Sequence, residues 1–167
     1  MPIVYEGKVF AVEVGTRRFP DGREHEVAIV RHAPAVVLLP VEADGRVVLI
    51  KQYRPAIGRE LWECPAGGVA PGESADAAAA RECEEEIRRV PHVIERLGAW
   101  YPTPGYCDEE MIFFRVSDLR TPPPDSLHRP DEDEDIEPHP FTIADARAMV
   151  ARGEIVDLKT AYALTLL

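Results

Sequence analysis

The sequence predicts a mixed α/β fold in which a few helices cover sheets of short strands. Short segments rich in β-branched and apolar residues recur along the chain, separated by turn residues. One long segment of strong helix formers lies near the middle of the chain, and two shorter ones lie near its end. The length of 167 residues, with 46% hydrophobic and 29% charged residues, is typical of one globular domain.

Turn residues divide the first half of the chain into two predicted hairpins. Pro20-Asp21-Gly22 and Asp44-Gly45 each separate two runs of β-formers. The near-continuous apolar runs of the second hairpin indicate strands that are covered on both faces. The glycine- and proline-rich segment 65–72 is predicted to be a loop. The predicted strands are residues 5–14, 24–30, 35–41, 46–53, 93–101, 111–116 and 136–141.

Capping residues delimit the predicted helices. Ser74 is a good N-cap with Asp76 in the first helical turn, and Pro91 stops the helix formers that follow. Gly153 ends a second helix, and Asp157 caps a third. The predicted helices are residues 75–89, 143–152 and 158–167.

The excess of acidic over basic residues limits the classes of function that the chain can have. Thirty acidic against 19 basic residues give a net charge of −11, which argues against partners such as nucleic acid or an anionic membrane. A protein this acidic needs a cation between itself and a phosphorylated substrate. We expect no membrane span and no signal peptide, because apolar runs are short and the first residues lack the signal pattern. Three scattered cysteines are typical of a reducing compartment, so we expect a cytoplasmic protein.

Four carboxylates within five positions of the central helix carry the strongest chemical signal. Residues three and four apart share a helix face, so Glu82, Glu85 and Glu86 are expected to project together. Glu84 lies on another face, and a run of like charges is by itself usually a solvated surface. Here the helix follows a glycine-rich loop, and Arg81 lies four residues before Glu85. We therefore predict a divalent-cation site, of the kind that Mg2+ forms with carboxylates and substrate phosphates.

Residues 67–89 resemble the Nudix box, G-x5-E-x7-R-E-U-x-E-E-x-G-U, in which U is aliphatic. Cys83 and Arg89 depart from the two aliphatic positions, and Arg88 replaces the last glycine. Gln52-Tyr53-Arg54-Pro55 and Pro104-Gly105 further resemble the ADP-ribose pyrophosphatase branch of the Nudix hydrolases. The matching box positions are Gly67, Glu73, Arg81, Glu82, Glu85 and Glu86.

The resemblance implies a fold, an activity and a partner. The fold would be a Nudix α/β/α sandwich with a mixed sheet at residues 35–167, preceded by an antiparallel β extension at residues 1–34. The activity would be hydrolysis of the pyrophosphate bond of ADP-ribose to AMP and ribose 5-phosphate, with Mg2+ as cofactor and Mn2+ as its substitute. Enzymes of this branch exchange the extension across a two-fold axis, so a homodimer is expected, with the extension helping to form the partner's pocket.

The resemblance also assigns roles around the metal. The carbonyl of Ala66 would hold metal ions together with Glu82 and Glu86. Glu85 would be a further ligand or would orient the attacking water, and Arg81 would orient Glu85. The loop ahead of the helix would be supported by Gly67 and Glu73.

The acidic run at residues 131–135 has two interpretations. By composition it is a solvated charge run, and it is not an EF-hand, because Ile136 and Thr142 stand where a calcium loop requires glycine and glutamate. Relatives in the resembled branch place a flexible acidic loop here, with one glutamate acting as the base. That alignment assigns the base to Glu132 and a metal contact to Glu134.

Three further residues are candidates for substrate binding. Arg54 suits a phosphate or ribose contact, with a structural salt bridge as the equal alternative. Thr103 and Glu109 are candidates for hydrogen bonds to the terminal ribose, with simple turn roles as the alternative. The branch's base-recognising Arg-Glu pair is replaced by Val27-Ala28, which favours another nucleoside diphosphate sugar, such as GDP-mannose, as the alternative substrate. A Nudix-fold sensor without catalysis is a second alternative, which the intact box glutamates disfavour.

Overall fold

The structure is a computed structural model that describes residues 1–126, 128 and 136–167. None of its described helices is long and apolar enough to cross a membrane. Its strands are β1 (Ile3–Glu6), β2 (Phe10–Arg18), β3 (Glu24–His32), β4 (Ala35–Pro40), β5 (Val47–Arg54), β6 (Arg59–Glu63), β7 (Ala66–Gly68), β8 (Val90–Trp100), β9 (Met111–Arg120) and β10 (Ile136–Phe141). Its helices are α1 (Ala75–Ile87), α2 (Ile143–Ala151) and α3 (Leu158–Ala163).

Strand β4 is the centre of an α/β/α sandwich. It lies in a four-stranded sheet of order β7-β4-β9-β8, where it runs parallel to β9 and antiparallel to β7. Val36 and Leu38 pack into one core cluster with the apolar face of α1. Val37 and Leu39 pack into a second core cluster with residues of α2 and α3. Since alternate residues of a strand face opposite sides, β4 buries both of its faces, and the predicted fold class is confirmed.

The N-terminal strands form a separate antiparallel sheet of order β1-β2-β3. The prediction of one strand over residues 5–14 is wrong, because the N–H of Gly7 donates to the carbonyl of Phe10 at 3.0 Å and closes a turn between β1 and β2. The predicted antiparallel extension is therefore present with three strands instead of two. Its last strand ends at His32, close to the boundary that the sequence predicts at residues 34 and 35.

The second predicted hairpin is also wrong, although its turn is present. Gly45 N–H donates to the Glu42 carbonyl at 2.9 Å, but β4 and β5 share only an isolated bridge between Val41 and Val47. Strand β5 instead lies between β10 and β6 in a second, three-stranded sheet. Both strands are apolar on both faces, so each is placed inside its own sheet rather than at a shared edge.

The predictions from local composition also miss one short strand and extend two helices too far. The segment 65–72, predicted to be a loop, contains β7, which pairs through its backbone with β4. Helix α1 begins as predicted after Ser74, whose Oγ accepts from Ala77 N–H at 3.2 Å. It ends at Ile87, because Arg88 takes a left-handed conformation with φ of 55°. Helix α3 ends at Ala163 and does not reach residue 167.

Candidate active site

Two buried carboxylates of α1 meet the short strand β7. Glu86 Oε2 accepts a hydrogen bond from Ala66 N–H at 2.9 Å. The Glu82 carboxylate lies against Gly67, the next residue of β7. Both glutamates are less than a tenth exposed. Because β7 is hydrogen-bonded to the buried strand β4, and α1 packs on the same sheet, the fold itself brings these carboxylates to Ala66 and Gly67.

The approach of Glu82 to β7 depends on glycine at position 67. A Cβ built on Gly67 would stand 2.0 Å from Glu82 Oε1 and 2.1 Å from Glu82 Cδ. Non-bonded carbon atoms normally stay about 3.5–4.0 Å apart, so any other residue would displace the carboxylate. The glycine is therefore required by the neighbouring side chain and not by a left-handed backbone.

Arg81 connects the outer carboxylates of the site. Its Nη1 donates to Glu82 Oε1 at 2.6 Å and to Glu85 Oε2 at 2.7 Å. Its Nε and Nη2 each donate to Glu73 at 3.0 Å, and Nη2 also donates to the Gly68 carbonyl at 2.9 Å. The hydrogen bond from Arg81 holds the pKa of Glu73 below its ordinary value. One guanidinium thus connects α1 to the loop before it through charge-assisted hydrogen bonds.

The oxygen donors at β7 fit a hard divalent cation. Among the described residues, no three His, Cys, Asp or Glu side chains form a group that could hold a metal by themselves. Glu85 is turned to Arg81, and its other oxygen lies 3.6 Å from His128 Nδ1. The carboxylates at β7 are those of Glu82 and Glu86. Mg2+ in enzymes is commonly bound by one or two carboxylates, with waters and substrate phosphates completing its shell, so this donor set suits it.

Arg54 lies in a second charged cluster. Its Nε and Nη2 donate to Glu63 Oε1 and Oε2 at 2.7 and 2.6 Å. Lys159 donates to the same buried carboxylate and, at 3.0 Å, to Asp157 Oδ2. Neither Glu63 nor Lys159 was predicted from the sequence as a site residue. The available signal was an acid, Glu63, two residues before Pro65, where the predicted loop begins.

The other predicted substrate residues lie in the segment between β8 and β9. The Thr103 carbonyl accepts from the N–H groups of Tyr106 and Cys107 at 3.2 and 3.0 Å, so its backbone closes the turn. Glu109 Oε1 lies 3.7 Å from His32 Nδ1, at the junction with the N-terminal sheet. Thr103 also borders a cavity of about 380 Å³. The walls of that cavity include Trp100, Tyr101, Met111, Phe113, Leu158 and Tyr162.

Two predicted site residues, Glu132 and Glu134, lie outside the residues that the structure describes. Of the others, the structure brings together the box residues around β7 and α1. It places Arg54 in the neighbouring cluster with Glu63, and Thr103 and Glu109 in the segment that joins the N-terminal sheet. The roles of all these residues stay predictions.

Comparison with known proteins identifies the family. Residues 31–159 match the family model described as the NUDIX domain. The chain belongs to the Nudix family. An ADP-ribose pyrophosphatase of Bacillus subtilis is 34% identical to this Nudix protein over 96% of the chain and 86% of its own length. An ADP-ribose pyrophosphatase of Mycobacterium tuberculosis is 32% identical over 92% of the chain and 74% of its own length.

A solved structure extends the comparison to the fold. The crystal structure of an ADP compounds hydrolase matches this Nudix protein with a TM-score of 0.84. The match covers 99% of this chain and 88% of the other, at 24% sequence identity. The predicted Nudix fold is confirmed by this likeness, and the prediction of a Nudix hydrolase enzyme is confirmed by the family and its pyrophosphatase relatives.

Proposed function

We propose that this Nudix enzyme hydrolyses the pyrophosphate bond of ADP-ribose to AMP and ribose 5-phosphate, with Mg2+ as cofactor and Mn2+ as a substitute. The observation that carries the proposal is the meeting of two buried carboxylates, Glu82 and Glu86, with the glycine-containing strand β7. Two relatives named ADP-ribose pyrophosphatase match 96% and 92% of the chain at 34% and 32% identity. A GDP-mannose pyrophosphatase of Yersinia pestis, at 32% identity, matches only 75% of the chain, so the longer matches support ADP-ribose over GDP-mannose.

Different residues of the chain have different roles in the proposed reaction. Glu82, Glu86 and the Ala66 carbonyl would hold the ion, which would supply positive charge against the diphosphate and activate the attacking water. Arg81 keeps Glu82 and Glu85 oriented through its two short hydrogen bonds. Arg54 binds the diphosphate, since a guanidinium matches phosphate oxygens.

Water supplies the new bond in this proposal. Its oxygen attacks one phosphorus atom, and the bond from that phosphorus to the bridging oxygen breaks. One proton of the water leaves to a base, for which we propose Glu132, with Glu134 as a further metal contact. The bridging oxygen leaves with the other phosphate. Thr103 and Glu109 are proposed to bind the terminal ribose.

A substrate comparison tests the activity. We expect the purified protein in Mg2+ to hydrolyse ADP-ribose with the highest kcat/KM of a set that includes GDP-mannose. Mass spectrometry should identify AMP and ribose 5-phosphate as the products. Hydrolysis of GDP-mannose in preference to ADP-ribose would contradict the proposed substrate, and binding of ADP-ribose without any product would favour a sensor.

We propose a homodimer in which the extension at residues 1–34 helps to form the partner's substrate pocket. The support is the apolar surface of the N-terminal sheet, where Ile3, Val4 and Tyr5 are each more than half exposed. Light scattering should give about twice the chain mass of 18.6 kDa, and a variant lacking residues 1–34 should lose affinity for ADP-ribose. A fully active protein at the mass of one chain would contradict the dimer.

A further inference from the structure

We propose that Glu63 is a positioning residue, which holds the guanidinium of Arg54 in the orientation that meets the diphosphate. The inference rests on the proposed function, because it takes a diphosphate as the ligand of Arg54. It adds to that function a residue outside the Nudix box, on a strand that carries none of the predicted ligands.

The geometry of the pair fixes the guanidinium plane. The register of β5 and β6 pairs Ile50 with Glu63 and Arg54 with Arg59, so Arg54 and Glu63 lie on the same face of the sheet. Two parallel hydrogen bonds of 2.7 and 2.6 Å then join the Arg54 fork to the two carboxylate oxygens. Such a bidentate pair adds geometric specificity that a single contact lacks.

The pair leaves one edge of the guanidinium for a ligand. The Arg54 side chain is 38% exposed and that of Glu63 only 1% exposed, so the bound edge faces inward and the rest of the fork faces solvent. Nη1 of Arg54 donates no hydrogen bond to any residue in the described part of the chain. Since a guanidinium has five N–H donors, this outer edge has the donors that a phosphate needs.

Lys159 helps to keep Glu63 charged while Arg54 meets a ligand with its outer edge. It donates to Glu63 and is itself held by Asp157, which caps α3. Burial raises the pKa of Glu63, but the hydrogen bonds and charges of Arg54 and Lys159 outweigh it and leave the pKa below its ordinary value. The carboxylate is thus a fixed anion whose position does not depend on Arg54 alone.

Arg54 also lies within electrostatic range of the candidate metal site. The pKa of its guanidinium is raised first by the hydrogen bonds to Glu63 and further by nearby charges, among them that of Glu86 on α1. Glu63 itself lies three residues before Ala66, the proposed carbonyl ligand. A diphosphate whose metal ion is held at Glu86 and Ala66 would be the ligand of the outer edge of Arg54.

A double-mutant cycle tests the positioning role. Glu63→Gln keeps the shape of the side chain. It removes the two anionic oxygens that accept the hydrogen bonds of the Arg54 guanidinium. We expect kcat/KM for ADP-ribose to fall about ten- to a hundred-fold, as for a misplaced binding group. Arg54→Ala should cause a loss of similar size. In the Arg54→Ala background, Glu63→Gln should then change kcat/KM by less than about two-fold, since coupled residues are not additive.

Controls separate positioning from folding. Arg152 and Glu154 form a similar bidentate pair, in which Nε and Nη2 of Arg152 donate to the Glu154 carboxylate at 2.6 and 3.1 Å. Glu154→Gln removes that acid and should leave kcat/KM unchanged. Thermal unfolding of each variant reports stability, and Glu63→Asp, which retains the charge next to Lys159, replaces Glu63→Gln in the cycle if that variant unfolds. If the losses in kcat/KM of Arg54→Ala and Glu63→Gln multiply in the double variant, the two residues act independently. That result would overturn the positioning role and leave the proposed function standing. A wild type that does not hydrolyse ADP-ribose would overturn the proposed function and this inference with it.

Discussion

Glu82→Gln and Glu86→Gln are each expected to lower kcat on the order of a thousand-fold in Mg2+. The amide removes the negative charge that the ion needs, and the ion stabilises charge in the transition state by several kcal/mol, with 1.36 kcal/mol equal to a factor of ten. The shape of the side chain is kept, and in Glu86→Gln the amide oxygen can still accept from Ala66 N–H, so circular dichroism should show an intact fold.

Glu84 provides the matched control for this pair of variants. It lies in the same run of glutamates and is equally buried, but it belongs to another face of α1. Glu84→Gln should therefore keep a kcat close to that of the wild type. Near-normal rates for both Glu82→Gln and Glu86→Gln would remove the basis for the active site.

Gly67→Ala is expected to reduce kcat to a similar extent without removing any charged group. The new Cβ would stand 2.0 Å from Glu82 Oε1 and would force that carboxylate away from β7. Steady-state kinetics with ADP-ribose measures the loss, and thermal unfolding measures the accompanying strain.

The next residue supplies the control for Gly67→Ala. A Cβ on Gly68 would meet no heavy atom within 4 Å, so Gly68→Ala should stay active although it changes the same strand. If Gly67→Ala retained full activity, or if both variants lost activity equally, the close approach of Glu82 would not be the reason for the glycine.

The predictable part of the fold is the part that local signals specify. Ser74 caps α1 as predicted, and the turn at Gly45 is present. The failures concern strand pairing, which depends on partners far along the chain. The second hairpin divides between two sheets because β4 finds its neighbours in β7 and β9 instead of β5. Strand β7 was missed because its pairing uses backbone groups that glycine and alanine supply without any side-chain pattern.

The same distinction between local and long-range signals applies to the candidate site. Spacing along one helix predicted that Glu82, Glu85 and Glu86 share a face, and the resemblance to the Nudix box implied that Glu82 and Glu86 lie next to Ala66. The partner of Arg54 was not predictable, because the register of β5 and β6 decides which acid it meets. The contact between Lys159 and Glu63 joins residues 96 positions apart. The hydrogen bond from Arg81 to Glu85, by contrast, joins residues four apart on one helix, a spacing that is visible in the sequence.

Direct measurement of metal binding tests the central claim, that α1 and β7 form a divalent-cation site. Mn2+ is titrated into the protein in the presence of AMP, whose phosphate completes the shell, and free Mn2+ is followed by electron paramagnetic resonance. We expect the wild type to bind Mn2+ and to release it to excess Mg2+, and we expect the Glu82→Gln, Glu86→Gln double variant to bind neither ion. Identical titrations for the wild type and the double variant would contradict the account.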